Sequence, residues 1–253
     1  MSNDDQYIKH FADQPNNYLR FRPSYPKQLF EYLSTLVNKH ELAWDAGTGN
    51  GQVAVDLSHY FHEVIATDIS QEQLNVAISA KNIHYICCPS EHTTLKNNSV
   101  DLITISQALH WFNLDKFYQE VKRVGKPEGI ISAWCYSLGT VNVNIDSVIK
   151  KLYFDILGTK FWPKERFYID EKYQTIPFPF KQIKVPQFEV QKNFNFEEFI
   201  GYLNTWSAVK EYQKRHLTNP IDLIFRDLAL AWGNPQITNK MCWPLHLLVG
   251  YIS

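Results

Sequence analysis

Glycine is scarce in this chain, 10 of 253 residues. Yet three glycines fall within five positions, in Asp45-Ala-Gly-Thr-Gly-Asn-Gly51. A backbone without Cβ atoms lets an extended ligand lie directly on the main chain. The start of a helix adds free N–H groups and a partial positive charge, which suit a carboxylate or phosphate. The spacing is Gly-x-Gly-x-Gly, one residue short of the dinucleotide fingerprint Gly-x-Gly-x-x-Gly. Asp45, two residues before Gly47, would repel a pyrophosphate and attract a cation. A second aspartate, Asp68, closes the next β-branched run, at the distance where a carboxylate meets a ribose diol. Together these residues point to a nucleoside that carries an ammonium or sulfonium.

The surrounding pattern supplies the elements to hold them. Strands are expected at Glu41–Ala46, Glu63–Thr67, Ile83–Cys87, Val100–Ser106 and Ile130–Tyr136. Between them, Val53, Ala54, Leu57 and Phe61 recur at helical spacing over residues 52–60. Ser70 and Gln73 form a capping-box pair for a helix reaching about Ala80. Asn113 can cap a helix carrying Leu114, Phe117, Val121 and Val124, and Pro127-Glu128-Gly129 reads as a turn. Strands alternating with helices mean a doubly wound α/β unit over residues 41–136, with its ligand at the carboxyl ends of the strands. Before it lie Tyr18-Leu-Arg-Phe-Arg-Pro-Ser-Tyr-Pro26 and an amphipathic helix around Gln28–Val37. After it, helices are expected at Val143–Leu157, Phe196–Trp206 and Ile221–Trp232, and strands at Ile183–Phe194 and Trp243–Tyr251. The whole of 1–253 reads as one domain: a lid and helix (1–40), the cofactor core (41–136) and a substrate side (137–253).

Composition removes other classes. Twenty-five basic residues against 26 acidic ones give a net charge of -1, too little field to draw in nucleic acid or an anionic membrane. Hydrophobic residues at 45% are enough for a substantial core. Cys87 and Cys88 are adjacent while Cys135 and Cys242 stand alone, so no metal-ligand spacing occurs and no metal is expected. The polar start is unlike a signal peptide, and no apolar run reaches membrane-span length, so the expectation is a cytoplasmic protein. Oligomeric state is not legible. Of the 37 aromatic residues, 22 lie beyond residue 126, where residues 10–26 and about 140–215 are expected to enclose an acceptor.

In order along the chain, Trp44-Asp-Ala-Gly-Thr-Gly-Asn-Gly51, Thr67-Asp-Ile69, Pro89-Ser-Glu91, Val100-Asp-Leu-Ile103, Gln107-Ala-Leu-His-Trp-Phe112 and Glu120-Val-Lys-Arg-Val-Gly-Lys-Pro-Glu-Gly129 resemble the class I S-adenosylmethionine-dependent methyltransferases. Arg22-Pro-Ser-Tyr-Pro26 and Tyr202-Leu-Asn-Thr-Trp-Ser207 are similar to segments of the trans-aconitate methyltransferase-like small-molecule group. The resemblance implies a Rossmann-like, doubly wound, mostly parallel seven-stranded sheet. Its last strand would be antiparallel, with a helical N-terminal lid and a helical insertion near the C-terminal strands. It implies S-adenosyl-L-methionine as cofactor, S-adenosyl-L-homocysteine as product, and a small-molecule methyl acceptor.

It also implies roles. Asp45 would meet the methionyl ammonium, directly or through water, Gly47 and Gly49 would bed the methionyl portion, and Thr48 and Gly51 would belong to the same cofactor-binding loop. Asp68 would hold the ribose and Ile69 would pack on adenine. Ser90 and Glu91 would flank the adenine edge, while Gln107 and Ala108 would approach from the far side. Pro89 departs from the acidic residue common there, and Gly125 from a usual leucine.

Candidates on the acceptor side follow from residue type. His110 has the pKa range of a general base. Trp111 and Trp206 could wall the transfer pocket or simply pack. Arg22 could clamp a carboxylate, and Tyr18 and Tyr25 share its segment. The other histidines have no common spacing, and no Gly-x-Ser-x-Gly elbow occurs. The competing readings are a nicotinamide-dependent oxidoreductase and a non-catalytic S-adenosylmethionine-binding protein.

Overall fold

The computed structural model describes residues 21–252. The first half runs α1 (Lys27–Thr35), β1 (Leu42–Ala46), α2 (Gln52–Leu57), β2 (Glu63–Asp68), α3 (Gln71–Leu74), β3 (Ile83–Cys87), β4 (Val100–Ser106), α4 (Leu114–Val124) and β5 (Gly125–Tyr136). The second half runs α5 (Val143–Lys150), α6 (Gly158–Phe161), α7 (Arg166–Asp170), β6 (Lys181–Gln182), β7 (Glu189–Phe194), α8 (Phe196–Asn204), α9 (Ser207–His216), α10 (Phe225–Trp232) and β8 (Asn239–Tyr251).

Eight strands form one sheet in the order β3-β2-β1-β4-β5-β8-β6, with β7 also on β8. Strands β1 to β5 are parallel, and β8 is antiparallel to β5, β6 and β7. The expected Rossmann-like sheet is therefore present, with eight strands in place of seven. Strand order reverses between β1 and β4, so a crevice opens at their carboxyl ends. Buried residues pack on both faces of the sheet. One face holds Leu29, Phe30, Ala43, Leu102 and Trp134, and the other Trp44, Ile103, Phe117 and Val121. The alternation of Ala43 with Trp44 and of Leu102 with Ile103 follows the two-residue period of a strand.

Several expected boundaries shift. Helix α3 stops at Leu74 because the chain turns back and the Ile78 amide donates to the Asn50 carbonyl at 3.2 Å. Ser70 Oγ accepts from the Gln73 amide, but the Ser70 N–H donates to Asp68 Oδ1 at 2.8 Å, so the reciprocal half of the box is not made. The turn at residues 127–129 survives as a loop-out: Val100 pairs with Gly125 but Leu102 with Ile130, and residues 126–129 bulge from β5. The Val143–Leu157 segment is α-helical only to Lys150 and continues with π hydrogen bonding over Lys151–Leu157. Of the strand expected at 183–194 only β7, Glu189–Phe194, forms, since Pro186 lacks a ladder N–H, and β6 is a separate two-residue strand just before it. Phe196–Trp206 ends at Asn204, and α10 is preceded by a 3-10 turn at Pro220–Leu223. Helices α6, α7 and α9 have no counterpart among the expected elements. Among the described residues no helix is long and apolar enough to cross a membrane.

The glycine run is where sequence most tightly controls local shape. Gly51 has φ 83° and caps α2, and a Cβ there would lie 2.1 Å from the Tyr85 hydroxyl. Gly158 also has positive φ but has open space around it. We expect Gly51→Ala to lower unfolding stability by at least about 2 kcal/mol, against about 1 kcal/mol for Gly158→Ala. Urea denaturation of the two variants checks this; equal losses would show that the Tyr85 contact is irrelevant.

Candidate active site

A cavity of about 500 Å³ opens over the carboxyl ends of β1, β2 and β4. Five segments line it: the glycine loop from Gly47 to Asn50, the end of β2 from Asp68 to Ser70, the loop after β3 from Pro89 to His92, the stretch from Ser106 to Ala108, and the run from Trp111 to Asn113. Tyr25, Gln52, Val53, Gln73 and Lys116 complete the lining.

The floor is main chain. Gly47 and Gly49 have φ 68° and 57°. A Cβ at position 47 would lie 2.7 Å from the Ala108 Cβ and 3.0 Å from the Phe112 ring. The loop is anchored to β2: the Thr48 amide donates to the Thr67 carbonyl at 2.9 Å. The Gly49 amide donates to Asp68 Oδ2 at 2.8 Å, and the Ser70 amide to Asp68 Oδ1 at 2.8 Å. Burial raises the Asp68 pKa above the ordinary carboxylate range, opposed by those amide bonds.

Asp45 lies below this floor rather than in the lining. It is 1% exposed. Thr48 Oγ1 donates to its Oδ2 at 2.5 Å, and Thr104 Oγ1 to its Oδ1 at 2.7 Å. Burial pushes its pKa up to about 7, against the two hydroxyl donors and with a smaller push from the Asp68 charge.

The walls are tied across segments. The Asn113 amide donates to Glu91 Oε1 at 2.8 Å, joining the loop after β3 to the cap of α4. Ser106 Oγ donates to the Tyr25 hydroxyl at 2.7 Å, and the Tyr25 ring stands edge-on to Trp134 at 5.6 Å. Ser90 is buried beside this wall. Two buried amides in the lining, Asn50 Nδ2 and Gln107 Nε2, have no hydrogen-bond partner among the described residues. Gln107 also holds φ 56°, a left-handed conformation that costs a non-glycine residue energy.

Most of the expected cofactor residues converge on the cavity: Gly47, Thr48, Gly49, Asp68, Ile69, Ser90, Glu91, Gln107 and Ala108, together with Tyr25 and Trp111. Gly51 does not; it is spent on the turn against Tyr85. Tyr18 lies outside the described residues.

His110 points away from the cavity. Its Nδ1 is 2.9 Å from the Tyr173 hydroxyl, and burial, with the nearby Arg166 charge, drives its pKa down to about 3. This geometry gives no support to a general-base role. Arg22 is outside the lining, with Nη1 3.4 Å from the Tyr136 hydroxyl and Nη2 3.3 Å from the Thr205 carbonyl, stacked over Tyr202. Trp206 is buried against Tyr153, Trp162 and Tyr202.

Among the described residues, none from 140 to 215 lines the cavity. The aromatic surplus there packs on itself instead, as Tyr153 on Trp162 at 4.8 Å and Tyr202 on Trp243 at 5.5 Å. Asn50 and Phe112 were missed although both sit inside motifs already noted. Ser106 and Lys116 carry no sequence signal; their place at a strand end and one turn into α4 puts them there.

Residues 44–133 match the methyltransferase domain family. A protein of Dictyostelium discoideum named as a methyltransferase is 35% identical over 245 residues, 94% of this chain and 93% of that one. A solved structure from Anaeromyxobacter dehalogenans, described as a type II methyltransferase, superposes with a TM-score of 0.85 at 36% identity, covering 92% of this chain and 98% of that one. A Saccharomyces cerevisiae protein named as an S-adenosylmethionine-dependent methyltransferase is 30% identical over 129 residues, 47% of this chain and 44% of that one. The chain belongs to the class I S-adenosylmethionine-dependent methyltransferases. The nicotinamide and non-catalytic readings fall with that assignment.

The cavity fits the cofactor on its own terms: a Cβ-free floor, an acidic strand end, and two buried amide donors awaiting acceptors. Asp45 carries the clearest pH signature. Its folded pKa, about 7, lies above its ordinary 3.8, so between those values the folded state holds a proton that the unfolded state has released. Wild-type stability should therefore fall relative to Asp45→Asn as pH rises from about 4 to about 7, then level off. Thermal melts of both proteins across that window test this, and parallel curves would refute it.

Proposed function

We propose that this methyltransferase acts on a small molecule and transfers the methyl group to a carboxylate oxygen. The sulfonium of S-adenosylmethionine supplies a methyl group already activated for in-line displacement. The residues around it need only bind, orient and exclude water. In this reading Gly47 and Gly49 bed the methionyl chain, and Asp45 offsets its ammonium through the loop. Asp68 accepts from the ribose hydroxyls, and Ile69, Ser90 and Glu91 flank the adenine. Asn50 and Gln107 direct their orphaned amides at acceptor atoms of the ligands. Tyr25 and Trp111 close the side where the acceptor enters. The whole chain then serves as one catalytic domain, with residues 1–40 as the lid.

One observation carries the carboxylate assignment. The end of β4 and its following turn contribute Ser106, Gln107, Ala108, Trp111 and Phe112, none of them a base, while the cavity's ionisable side chains, Asp68, Glu91, His92 and Lys116, stand at the end of β2, in the loop after β3 and on α4. The adjoining imidazole, His110, is neutral at all ordinary pH and held by Tyr173. A phenol or amine acceptor would need a proton removed, whereas a carboxylate arrives ionised. The balanced net charge of -1 and the lack of a basic stripe favour a small acceptor over nucleic acid.

Incubation with radiolabelled S-adenosylmethionine and a panel of carboxylic acids, phenols and amines tests the reading. The expected product is labelled carboxylic ester, whose label leaves as methanol in alkali; alkali-stable label on a phenol or amine would overturn it. His110→Gln should keep kcat within about threefold, since no proton passes through it. Asp68→Ala should weaken S-adenosylhomocysteine binding about 10- to 100-fold by calorimetry, the cost of losing hydrogen bonds to a charged acceptor.

A further inference from the structure

Gln107, the first residue after β4, carries two unfavourable features at once. Its φ of 56° is left-handed, a conformation that residues with a long side chain rarely adopt. Its Nε2 is buried and has no hydrogen-bond partner among the described residues. An amide in that state has lost the bonds it makes in water and gained none. Five described non-glycine residues have positive φ, and Gln107 is the one among them that lines the cavity. An outlier that its surroundings hold at a cavity wall points to a use for it.

The fold fixes this residue from both sides. The Gln107 backbone amide donates to the Trp134 carbonyl at 2.9 Å, which pins the chain to β5 as it leaves the sheet. Before it, Ser106 Oγ donates to the Tyr25 hydroxyl at 2.7 Å. After it, the Ala108 Cβ packs 2.7 Å from the point that a Cβ on Gly47 would occupy. Gln107 therefore stands between Tyr25 and the glycine floor, beside the methionyl chain and its sulfonium in the reading above. The cavity's basic side chains stand elsewhere: His92 follows β3 and Lys116 lies on α4. The other orphaned amide of the lining, Asn50, belongs to the glycine loop itself. Arg22, the arginine whose sequence position suited a carboxylate, is committed to Tyr136, Thr205 and Tyr202.

We propose that the side-chain amide of Gln107 seats the carboxylate of the methyl acceptor, donating to the oxygen that is not methylated. This rests on the carboxylate reading above and names the residue that recognises that group. A guanidinium fork would engage both oxygens. One amide nitrogen takes one oxygen and leaves the other free to attack. A lone pair of that second oxygen forms the new O–CH3 bond as the S–CH3 bond breaks, and the S–CH3 electron pair stays on sulfur. Carboxylate and sulfonium become ester and thioether, and no proton moves. The donor is uncharged, so the carboxylate keeps its full charge until transfer. The pinned turn holds the donor in place before the acceptor arrives, so binding does not have to order it.

The test compares full-length wild type with two variants. Gln107→Gly relieves the backbone and removes the amide. Gln107→Asn keeps an amide on a residue that tolerates left-handed backbone, but one methylene short of the same reach. Each protein is assayed with radiolabelled S-adenosylmethionine and acetate, hexanoate, decanoate, benzoate or citrate. For the acids that wild type esterifies, both variants should raise KM about 10-fold or more, the loss of a hydrogen bond to a charged group. Affinity for S-adenosylhomocysteine, read by calorimetry, should stay within about threefold of wild type. Gln107→Gly should also melt about 2–4 °C higher than wild type, because the strain is gone. An unchanged KM in both variants overturns the proposal and leaves the carboxylate reading standing. Loss of S-adenosylhomocysteine affinity in step with the rise in KM overturns it as well, since the amide would then serve the cofactor. Esterification of none of these acids by wild type removes the carboxylate reading and the proposal with it.

Discussion

The structure depends on how one buried carboxylate is satisfied. Asp45 sits in the middle strand of the parallel sheet, paired in register with Ala66 on one side and Thr104 on the other. A charge that deep must be hydrogen-bonded or neutralised. The hydroxyl from β4 takes one oxygen and the hydroxyl from the glycine loop takes the other. The same two bonds therefore join the strands at the point where their order reverses and pull the loop down onto β1. The loop's path, and with it the cavity floor, follows from meeting that demand.

The next constraint is the second aspartate. Asp68 spends one oxygen on the Gly49 amide and the other on the Ser70 amide. Each carboxylate oxygen has a further lone pair, so the group can fix the loop and still receive a ligand's hydroxyls. Loop, strand end and helix start thus become one rigid edge. Opposite it, the turn after β4 is strained at Gln107 and carries Trp111 on one side and His110 on the other. One short turn in this way faces the cavity with an indole and anchors the helical cap through the His110–Tyr173 bond.

Much of this was open to reading from the residues. The glycine run, Asp45 and Asp68 are local features whose meaning lies in backbone freedom and strand-end charge, and the alternation of strands and helices needs only periodicity. His110 shows the limit. Its neighbours in sequence suggested a base beside the transferred methyl, but which way a ring points from a 3-10 turn is decided by Tyr173, 63 residues away. The aromatic residues of the second half are ambiguous for a similar reason. Large rings in the second half bury area most effectively against one another, and nothing in their spacing distinguishes a pocket wall from a core.

The residue types and spacings alone determined the class of ligand, the parallel α/β order and the place where the two meet. They did so because each of these is written in short-range pattern: positive φ at glycine, the two-residue period of strands, the charge two positions before a turn. Only the tertiary structure decided that Asp45 lies beneath the floor, that Gly51 serves Tyr85, and that Arg22 is committed to Tyr136 and Thr205. Those outcomes turn on which distant side chains reach a donor or acceptor first, and that competition is settled by packing.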